Sequence, residues 1–135
     1  MLDLAKKNFA EIAEKGYEFE VKLPTGENSG AFITVRGSQS KTVKAYNRRM
    51  LQEYQQKVAL AKRKGRDPEQ FDIDEMEKAG VESAIVRVIG WRGITEGGKD
   101  VPFTKENADR IFTEHTWIAD QVREESDQIL NFRAD

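Results

Sequence analysis

Residues 17–36 read YEFEVKLPTGENSGAFITVR, and this stretch decides which class of fold the chain can form. From Tyr17 to Leu23 apolar and charged residues alternate, which is the period of a strand with one buried face. Residues 24–30 are typical of a turn, and residues 31–36 are rich in β-branched side chains. The pattern predicts an antiparallel β-hairpin. Two strands alone are marginally stable, so the hairpin must pack on helices or extend a sheet in another subunit.

Helical periodicity flanks the predicted hairpin on both sides. Before it, Leu2, Ala5, Phe9, Ile12 and Ala13 recur at helical spacing. Gly16 is expected to end this short helix as a left-handed C-terminal cap. After the hairpin, Ser38 or Ser40 is expected to cap a long helix that continues to Gly65. Roughly 25 residues at ~1.5 Å each give about 37 Å, more than a core of this size requires, so the helix is predicted to project.

The rest of the chain predicts a cluster of short helices. Residues 67–69 (Asp-Pro-Glu) are typical of a helix start. Residues 84–89 are also typical of a buried strand, but three- and four-residue steps persist from the preceding segment and favour a helix. A loop or small hairpin is expected within residues 94–103. Thr104 and Thr116 are expected to cap the last two helices.

The order of these elements predicts an α+β fold that is mostly α, with an N-terminal β-hairpin, a long projecting helix and a C-terminal cluster of short helices. A chain of 135 residues is the size of one domain, so residues 1–135 are interpreted as a single domain. Within it, residues 1–37 hold the first helix and the hairpin, residues 38–66 the long basic helix and residues 67–135 the helical cluster.

Composition and motifs disfavour several functional classes. The chain has no cysteine, which excludes disulfides, cysteine-ligated zinc and thiol nucleophiles. His115 is the only histidine and is interpreted as a surface or cap residue rather than a general base. The acidic run at residues 72–77 lacks the glycine and the final glutamate of a calcium loop and is interpreted as a solvated face. We therefore expect no catalytic residue, no metal and no cofactor.

The sequence also indicates where the protein resides. No apolar run approaches the ~20 residues that a membrane span requires, and the N-terminus lacks the apolar core of a signal peptide. A cytoplasmic protein without a membrane partner is therefore expected.

The net charge of −2 conceals a strong internal asymmetry. Between Lys41 and Arg66 nine basic residues accompany the single acidic residue Glu53. The acidic residues that follow, from Asp67 to Glu82, are opposed only by Lys78. A positive segment beside a negative one predicts self-association through opposite charges. The residues assigned to this contact are Lys41, Lys44, Arg48, Arg49, Lys62, Arg63, Asp72, Asp74 and Glu75.

The basic helix has a second interpretation, as a surface for the phosphates of nucleic acid. Tyr46 and Tyr54 lie among the cations, but both fall on the apolar stripe of the helix, where burial is expected instead of stacking on bases. The acidic segment also supplies counter-charge within the protein itself. The protein–protein interpretation is therefore favoured, and nucleic acid is not expected to be the main partner.

Residues 81–132 contain several motifs in a defined order. An apolar segment ends in Gly-Trp-Arg-Gly-Ile at residues 90–94, and a Gly-Gly turn follows at residues 97–98. Val-Pro-Phe-Thr at residues 101–104 opens one helix, and Trp-Ile at residues 117–118 opens the last. This order resembles that of tail assembly chaperones of long-tailed phages. Each motif alone is ordinary helix-entry or packing chemistry, so the order and spacing carry the resemblance.

The resemblance extends over about Tyr17 to Phe132 and implies a non-enzymatic protein of the bacterial host cytoplasm. Such chaperones coat the tape measure protein and recruit tail tube subunits around it. Self-association into a ring or a helical filament fits this role. The alternative is a small phage nucleic-acid-binding or head-completion protein that uses the helix at 41–66. The family marks no binding residue by motif, so the resemblance assigns only packing anchors: Trp91, Phe103, Phe112 and Trp117.

Overall fold

The computed structural model describes residues 1–3, 8–66 and 72–132, and its elements follow the predicted order. The helices are α1 (Phe9–Lys15), α2 (Lys41–Arg63), α3 (Ile73–Arg87), α4 (Lys105–Glu114) and α5 (Thr116–Asp127), followed by a single 3-10 turn at Ile129–Asn131. The strands are β1 (Tyr17–Lys22), β2 (Asn28–Val35), β3 (Val88–Arg92), β4 (Thr95–Glu96) and β5 (Lys99–Asp100). The predicted α+β, mostly α class is confirmed.

The predicted hairpin is present, and a strand from later in the same chain completes it. β1 and β2 pair antiparallel, and β3 pairs antiparallel with the other edge of β2. Ile33 at the centre of the sheet lies opposite Phe19 on one side and Trp91 on the other. The small hairpin expected within residues 94–103 is also present, as β4 and β5.

The helix favoured for residues 84–89 is correct as far as Arg87 and wrong beyond it. Val88 and Ile89 begin β3 instead, and Val88 lies opposite Val35 of β2. The helical spacing of the apolar residues continues across this point, so periodicity alone does not reveal the change. A strand is favoured here because residues 88 and 89 are β-branched and because the edge of β2 would be unpaired without it.

The predicted helix ends are confirmed in part. The hydroxyl of Ser40 accepts a hydrogen bond from Val43 N at 3.2 Å, and that of Thr104 accepts one from Asn107 N at 3.0 Å. Thr116 is not a cap, because it is the first residue of α5 and the cap position is His115, which makes no side-chain cap hydrogen bond.

Two further predictions concern the ends of the early and middle helices. Gly16 has a positive φ of 92° but an extended ψ of 172°, so the predicted left-handed cap is wrong and the glycine leads directly into β1. The helix start expected at residues 67–69 lies outside the described residues. In the described part, α3 begins at Ile73, and its cap is Asp72.

The core lies between the sheet and the C-terminal helices. Its members come mainly from the inward faces of β1 and β2, from the second half of α3, and from α4 and α5; the largest fully buried ones are Phe112, Ile33, Val21, Val35 and Val122. The predicted anchor Phe112 is thus at the centre of the core. Trp117 is half-buried and packs against the same cluster.

Trp91 and Phe103 join the edge of the sheet to this core. The Trp91 indole N–H donates to the carbonyl of Val101 at 2.7 Å. Its ring meets the ring of Phe103 edge-on at 5.0 Å and that of Phe112 at 6.1 Å between centroids. Gly93 follows at φ 81°, and a side chain there would lie 2.6 Å from the carbonyl oxygen of Gly30, so only glycine lets the chain turn this close to β2.

Arg36, at the end of β2, connects elements that are distant in sequence. Its guanidinium Nη1 donates to the carbonyls of Val86 and Val88 at 3.0 and 3.1 Å, where α3 changes into β3. Its Nε pairs with a carboxylate oxygen of Glu14 at 3.3 Å, and its own carbonyl accepts from the Ser126 hydroxyl at 2.6 Å. This residue therefore joins α1, the α3–β3 junction and α5 at the end of the hairpin.

The same junction fixes the first turn of α2. Glu14 accepts a hydrogen bond from Thr42 N at 2.7 Å, which satisfies a backbone donor that no helical carbonyl can reach. Ser40 and Val43 are fully buried, and Tyr46 is buried one turn later. Beyond Tyr46 the helix leaves the core.

Replacement of Trp91 tests its role as a packing anchor. Trp91→Ala is expected to lower the free energy of unfolding by about 3 kcal/mol, the low end for large aromatics, since the ring is only partly buried. Trp91→Phe keeps a ring beside Phe103 and Phe112 but loses the hydrogen bond to Val101, so a loss of about 1 kcal/mol is expected. Urea denaturation followed by circular dichroism measures both. Wild-type stability of Trp91→Ala would show that this side chain is not an anchor.

Glu14 is expected to make stability depend on pH. Its hydrogen bonds to Thr42, assisted by the charge of Arg36, hold the pKa of its carboxyl below the ordinary value of 4.5. A carboxyl group whose pKa is lower in the folded than in the unfolded state stabilises the protein at pH values above its unfolded-state pKa. This stabilisation is lost as the pH falls through the folded-state pKa. Glu14→Gln should therefore lower the Tm by a few degrees at pH 7, with the difference shrinking below about pH 4.5. Glu11→Gln, at an exposed position of the same helix, is the matched control; an equal difference at pH 7 and pH 3 would contradict the assignment.

Candidate protein interaction site

The long basic helix extends away from the core, and we call α2 the basic arm. Its 23 residues give a length of about 35 Å. It carries seven basic residues and the single acidic residue Glu53. Apart from Val43 and Tyr46, its residues are exposed or half-buried. Its surface is therefore available to a partner over several turns.

Most of the predicted cations of the basic arm share one face. At about 100° per residue, Lys41, Lys44, Arg48, Lys62 and Arg63 fall within about 100° of one another. All of them are exposed. Arg49 lies beside this face, with its guanidinium 5.5 Å from the centre of the Tyr46 ring.

The apolar stripe of the basic arm is less buried than predicted. Tyr46 is buried, but Tyr54 is 47% exposed, so the expectation that both tyrosines are buried is wrong for Tyr54. Leu51 and Leu60, which lie on either side of the predicted stripe, are 56% and 50% exposed. The reason is that the core covers only the first two turns of the helix. The outer half of the basic arm therefore presents apolar side chains as well as cations.

Within the described residues, one residue assigned to self-association, Glu75, pairs with the basic arm of its own chain, and its partner Lys57 is not among the assigned cations. Glu75 pairs with Lys57 at 3.0 Å, and both side chains are more than half exposed, so this pair contributes little to stability. Within residues 8–66 and 72–132, Lys41, Lys44, Arg48, Arg49, Lys62, Arg63 and Asp74 form no ion pair with each other or with Asp72 and Glu75.

The acidic run at residues 72–77 forms the start of α3. Asp72 accepts a hydrogen bond from Asp74 N at 2.9 Å, so it serves as a helix cap, and the residues after it are helical. In the described ranges, no three acidic or histidine side chains are grouped so that they can hold a metal ion. His115 is half exposed, and its Nε2 lies 4.0 Å from a carboxylate oxygen of Glu114.

A groove between α3, α4 and α5 was not foreseen from the sequence. It has a volume of about 670 Å³ and is bordered by Ile73, Met76 and Gly80 of α3 and by Thr113 and Thr116 at the α4–α5 corner. Its acidic side chains are Asp74, Glu77, Asp109 and Asp120, and its basic side chains are Lys78 and Arg123. The floor is mainly apolar and the border is mainly acidic.

The groove is open because the apolar face of α3 extends beyond the part of the helix that the core covers. Ile73, Met76, Gly80, Ala84 and Arg87 are spaced by three or four residues and lie on one side of the helix. The last two are buried in the protein, whereas Ile73 and Met76 are 71% and 57% exposed. The apolar spacing of Ile73 and Met76 is visible in the sequence. The sequence pattern does not show, however, that the core ends before it reaches these two residues.

Arg123 joins two of the helices that border the groove. Its guanidinium donates to the carbonyl of Gly80 at 2.7 Å and pairs with Asp120 of the same helix. This contact ties α5 to α3 and neutralises Asp120. The negative charge of the groove is therefore carried mainly by Asp74, Glu77 and Asp109.

Over the described ranges, no helix is long and apolar enough to cross a membrane.

The comparisons with known proteins identify a family but no individual relative. No curated protein and no solved structure matches the chain. The model of the YdaY prophage protein family matches residues 38–135, which include the basic arm, the groove and β3 but not the N-terminal hairpin. The chain therefore belongs to the YdaY prophage protein family, and the protein is phage-derived.

Proposed function

We propose that this prophage protein is a tail assembly chaperone that acts by binding alone in the cytoplasm of the bacterial host. In this role it self-associates, coats the tape measure protein and recruits tail tube subunits. The observation that supports the proposal is the basic arm, which leaves the core after Tyr46, presents cations on one face and leaves Leu51, Tyr54 and Leu60 exposed. Exposed apolar side chains on a projecting helix are typical of an interaction surface.

A helical client fits such a surface. A tape measure protein is a long, largely helical chain whose apolar faces aggregate when they are left exposed. Repeated subunits along such a chain offer many weak contacts, and their sum is strong because each bound subunit raises the effective concentration of the next. No single subunit then requires a deep binding pocket or a catalytic group.

A phage nucleic-acid-binding or head-completion protein is the second candidate. The shared face of Lys41, Lys44 and Arg48 favours it, and so does the exposure of Tyr54, which leaves a ring available for stacking. The face is interrupted, however, because the next cations on it are Lys62 and Arg63, about 21 Å further along the helix. A phosphate backbone carries a charge at much shorter intervals, so this spacing favours the protein partner.

Self-association is expected to depend on the charges of the basic arm. Raising salt from about 0.05 M to about 0.5 M shortens the screening length from roughly 14 Å to roughly 4 Å, so assemblies should dissociate. The arm-reversed variant carries Glu in place of Arg48, Arg49, Lys62 and Arg63 and should remain monomeric at low salt. Analytical ultracentrifugation measures both effects.

The matched control for this experiment reverses four exposed lysines outside the basic arm: Lys15, Lys22, Lys99 and Lys105. This control changes the net charge by the same amount as the arm reversal. It should still self-associate, unless the net charge alone causes the loss of self-association in the arm-reversed variant. A wild-type protein that is monomeric at low salt and high concentration would refute the self-association.

The two candidate functions differ in what the wild-type protein retains. A tail chaperone should keep co-expressed tape measure fragments in the soluble fraction and should bind random duplex DNA only weakly at about 0.15 M salt. A nucleic-acid-binding protein should bind the DNA with a sub-micromolar Kd, a steep salt dependence and a complete loss in the arm-reversed variant. Pull-down with fragments and with labelled duplex, run side by side, measures both. Tight DNA binding without retention of the fragments would replace the first proposal with the second.

A further inference from the structure

The groove has the chemistry of a receptor for a basic amphipathic helix. Ile73 and Met76 give it an apolar floor that solvent reaches, and Asp74, Glu77 and Asp109 give it negative charge. A helix about 10 Å wide rises about 5.4 Å per turn, so a groove of about 670 Å³ accepts one to two turns of such a helix. Apolar side chains in a groove with charges at its border are the usual means of binding an amphipathic helix.

The chain itself carries a helix with the complementary properties. The basic arm has exposed apolar side chains at Leu51 and Tyr54, which lie about 60° apart around the helix. The cations Arg48 and Lys62 lie beside Leu51 on the same side, whereas the exposed Leu60 lies on the opposite side. Its seven basic residues and one acidic residue oppose the net negative charge of the groove. Charge complementarity of this kind determines which partner and which register are accepted.

The basic arm of the same chain lies on the wrong side of α3 to fill the groove. It contacts α3 through the pair of Lys57 with Glu75. Glu75 is about 200° around α3 from Ile73, which borders the groove. The arm and the groove of one molecule therefore face in different directions, and the helix that fills the groove belongs to another molecule.

We propose that one to two turns of the outer part of the basic arm, within residues 48–63, dock into the α3–α4–α5 groove of a second copy of this chain. The contact joins two different surfaces, so in a pair one copy keeps its groove free and the other keeps its arm free, and the assembly continues head to tail into a ring or a filament. A contact of one or two helical turns is weak by itself, and repetition along a client strengthens the assembly. This inference rests on the proposed self-association and names the surfaces that carry it.

A charge exchange tests the contact directly. The groove-reversed variant carries Glu77→Lys and Asp109→Lys, and both positions are exposed, so the fold should be retained. Self-association of this variant should be weaker by about tenfold or more, as like charges then face each other across the contact. The chain that carries both the groove reversal and the arm reversal should recover self-association, because opposite charges face each other again.

The matched control combines the arm reversal with Glu114→Lys and Glu124→Lys, which are exposed on α4 and α5 outside the groove. This chain gains the same positive charge but should stay monomeric. Recovery in the control would show that net charge and not the groove is responsible, and would overturn the inference. Circular dichroism of every variant verifies the fold, and Thr113→Trp, which fills the groove without a change of charge, should also weaken self-association.

The outcomes separate this inference from the proposed function. If the groove-reversed variant self-associates like the wild type, the groove is not the receptor, although the chaperone proposal stands when tape measure fragments are still retained. If that variant self-associates normally but loses the fragments, the groove binds the client helix, and the inference about a second copy is wrong. A wild-type protein that neither self-associates nor retains the fragments would refute both.

Discussion

The junction around Arg36 is the constraint on which the other elements depend. Its guanidinium binds the two carbonyls at which α3 becomes β3, while its backbone N–H donates to the carbonyl of Arg87 at 2.6 Å. The next residues continue this pattern, since Gly37 N donates to Ala13 and Ser38 N to Ser126. A short segment between β2 and α2 thus supplies partners to α1, α3 and α5. Because these hydrogen bonds are partly shielded from solvent, loss of one would leave polar groups without partners and cost more than an exposed contact does.

This junction explains why the molecule has a projecting helix. Hydrogen bonds to Ser40 and Glu14 fix the first turn of α2 and hence its direction. After Tyr46 no side chain of α2 is fully buried, and the remaining turns are held by helical hydrogen bonds, by half-buried side chains such as Met50 and Val58, and by the exposed pair of Lys57 with Glu75. A helix of this length is stable mainly when one face is packed, so its outer turns gain most from a partner. The surface offered for binding is therefore the part of the fold that its own core stabilises least.

The family match indicates where the protein comes from, and the structure indicates which of its surfaces are available for binding. Membership in a prophage protein family establishes the phage origin, and the match covers both the basic arm and the groove. The proposals about tail assembly and head-to-tail contact draw on charge and exposure at these two surfaces. They require no catalytic residue, and the contacts that they imply are individually weak and gain strength by repetition.

Local patterns in the sequence determined most of the elements: the hairpin from its alternation, the cap at Thr104 and a cap at either Ser38 or Ser40 from their hydroxyls, and the basic arm from its charges. The structure decided between the two serines in favour of Ser40. The apolar spacing of Ile73 and Met76 is also visible in the sequence. Only the tertiary structure decided that Val88 begins a strand, because that strand forms to pair with β2, fifty residues away in the chain. In the same way it decided that Tyr54 and Met76 are exposed, since the extent of the core is set by the packing of α4 and α5 against the sheet. Periodicity specifies which face of an element is apolar, but burial of that face depends on contacts between residues that are distant in sequence.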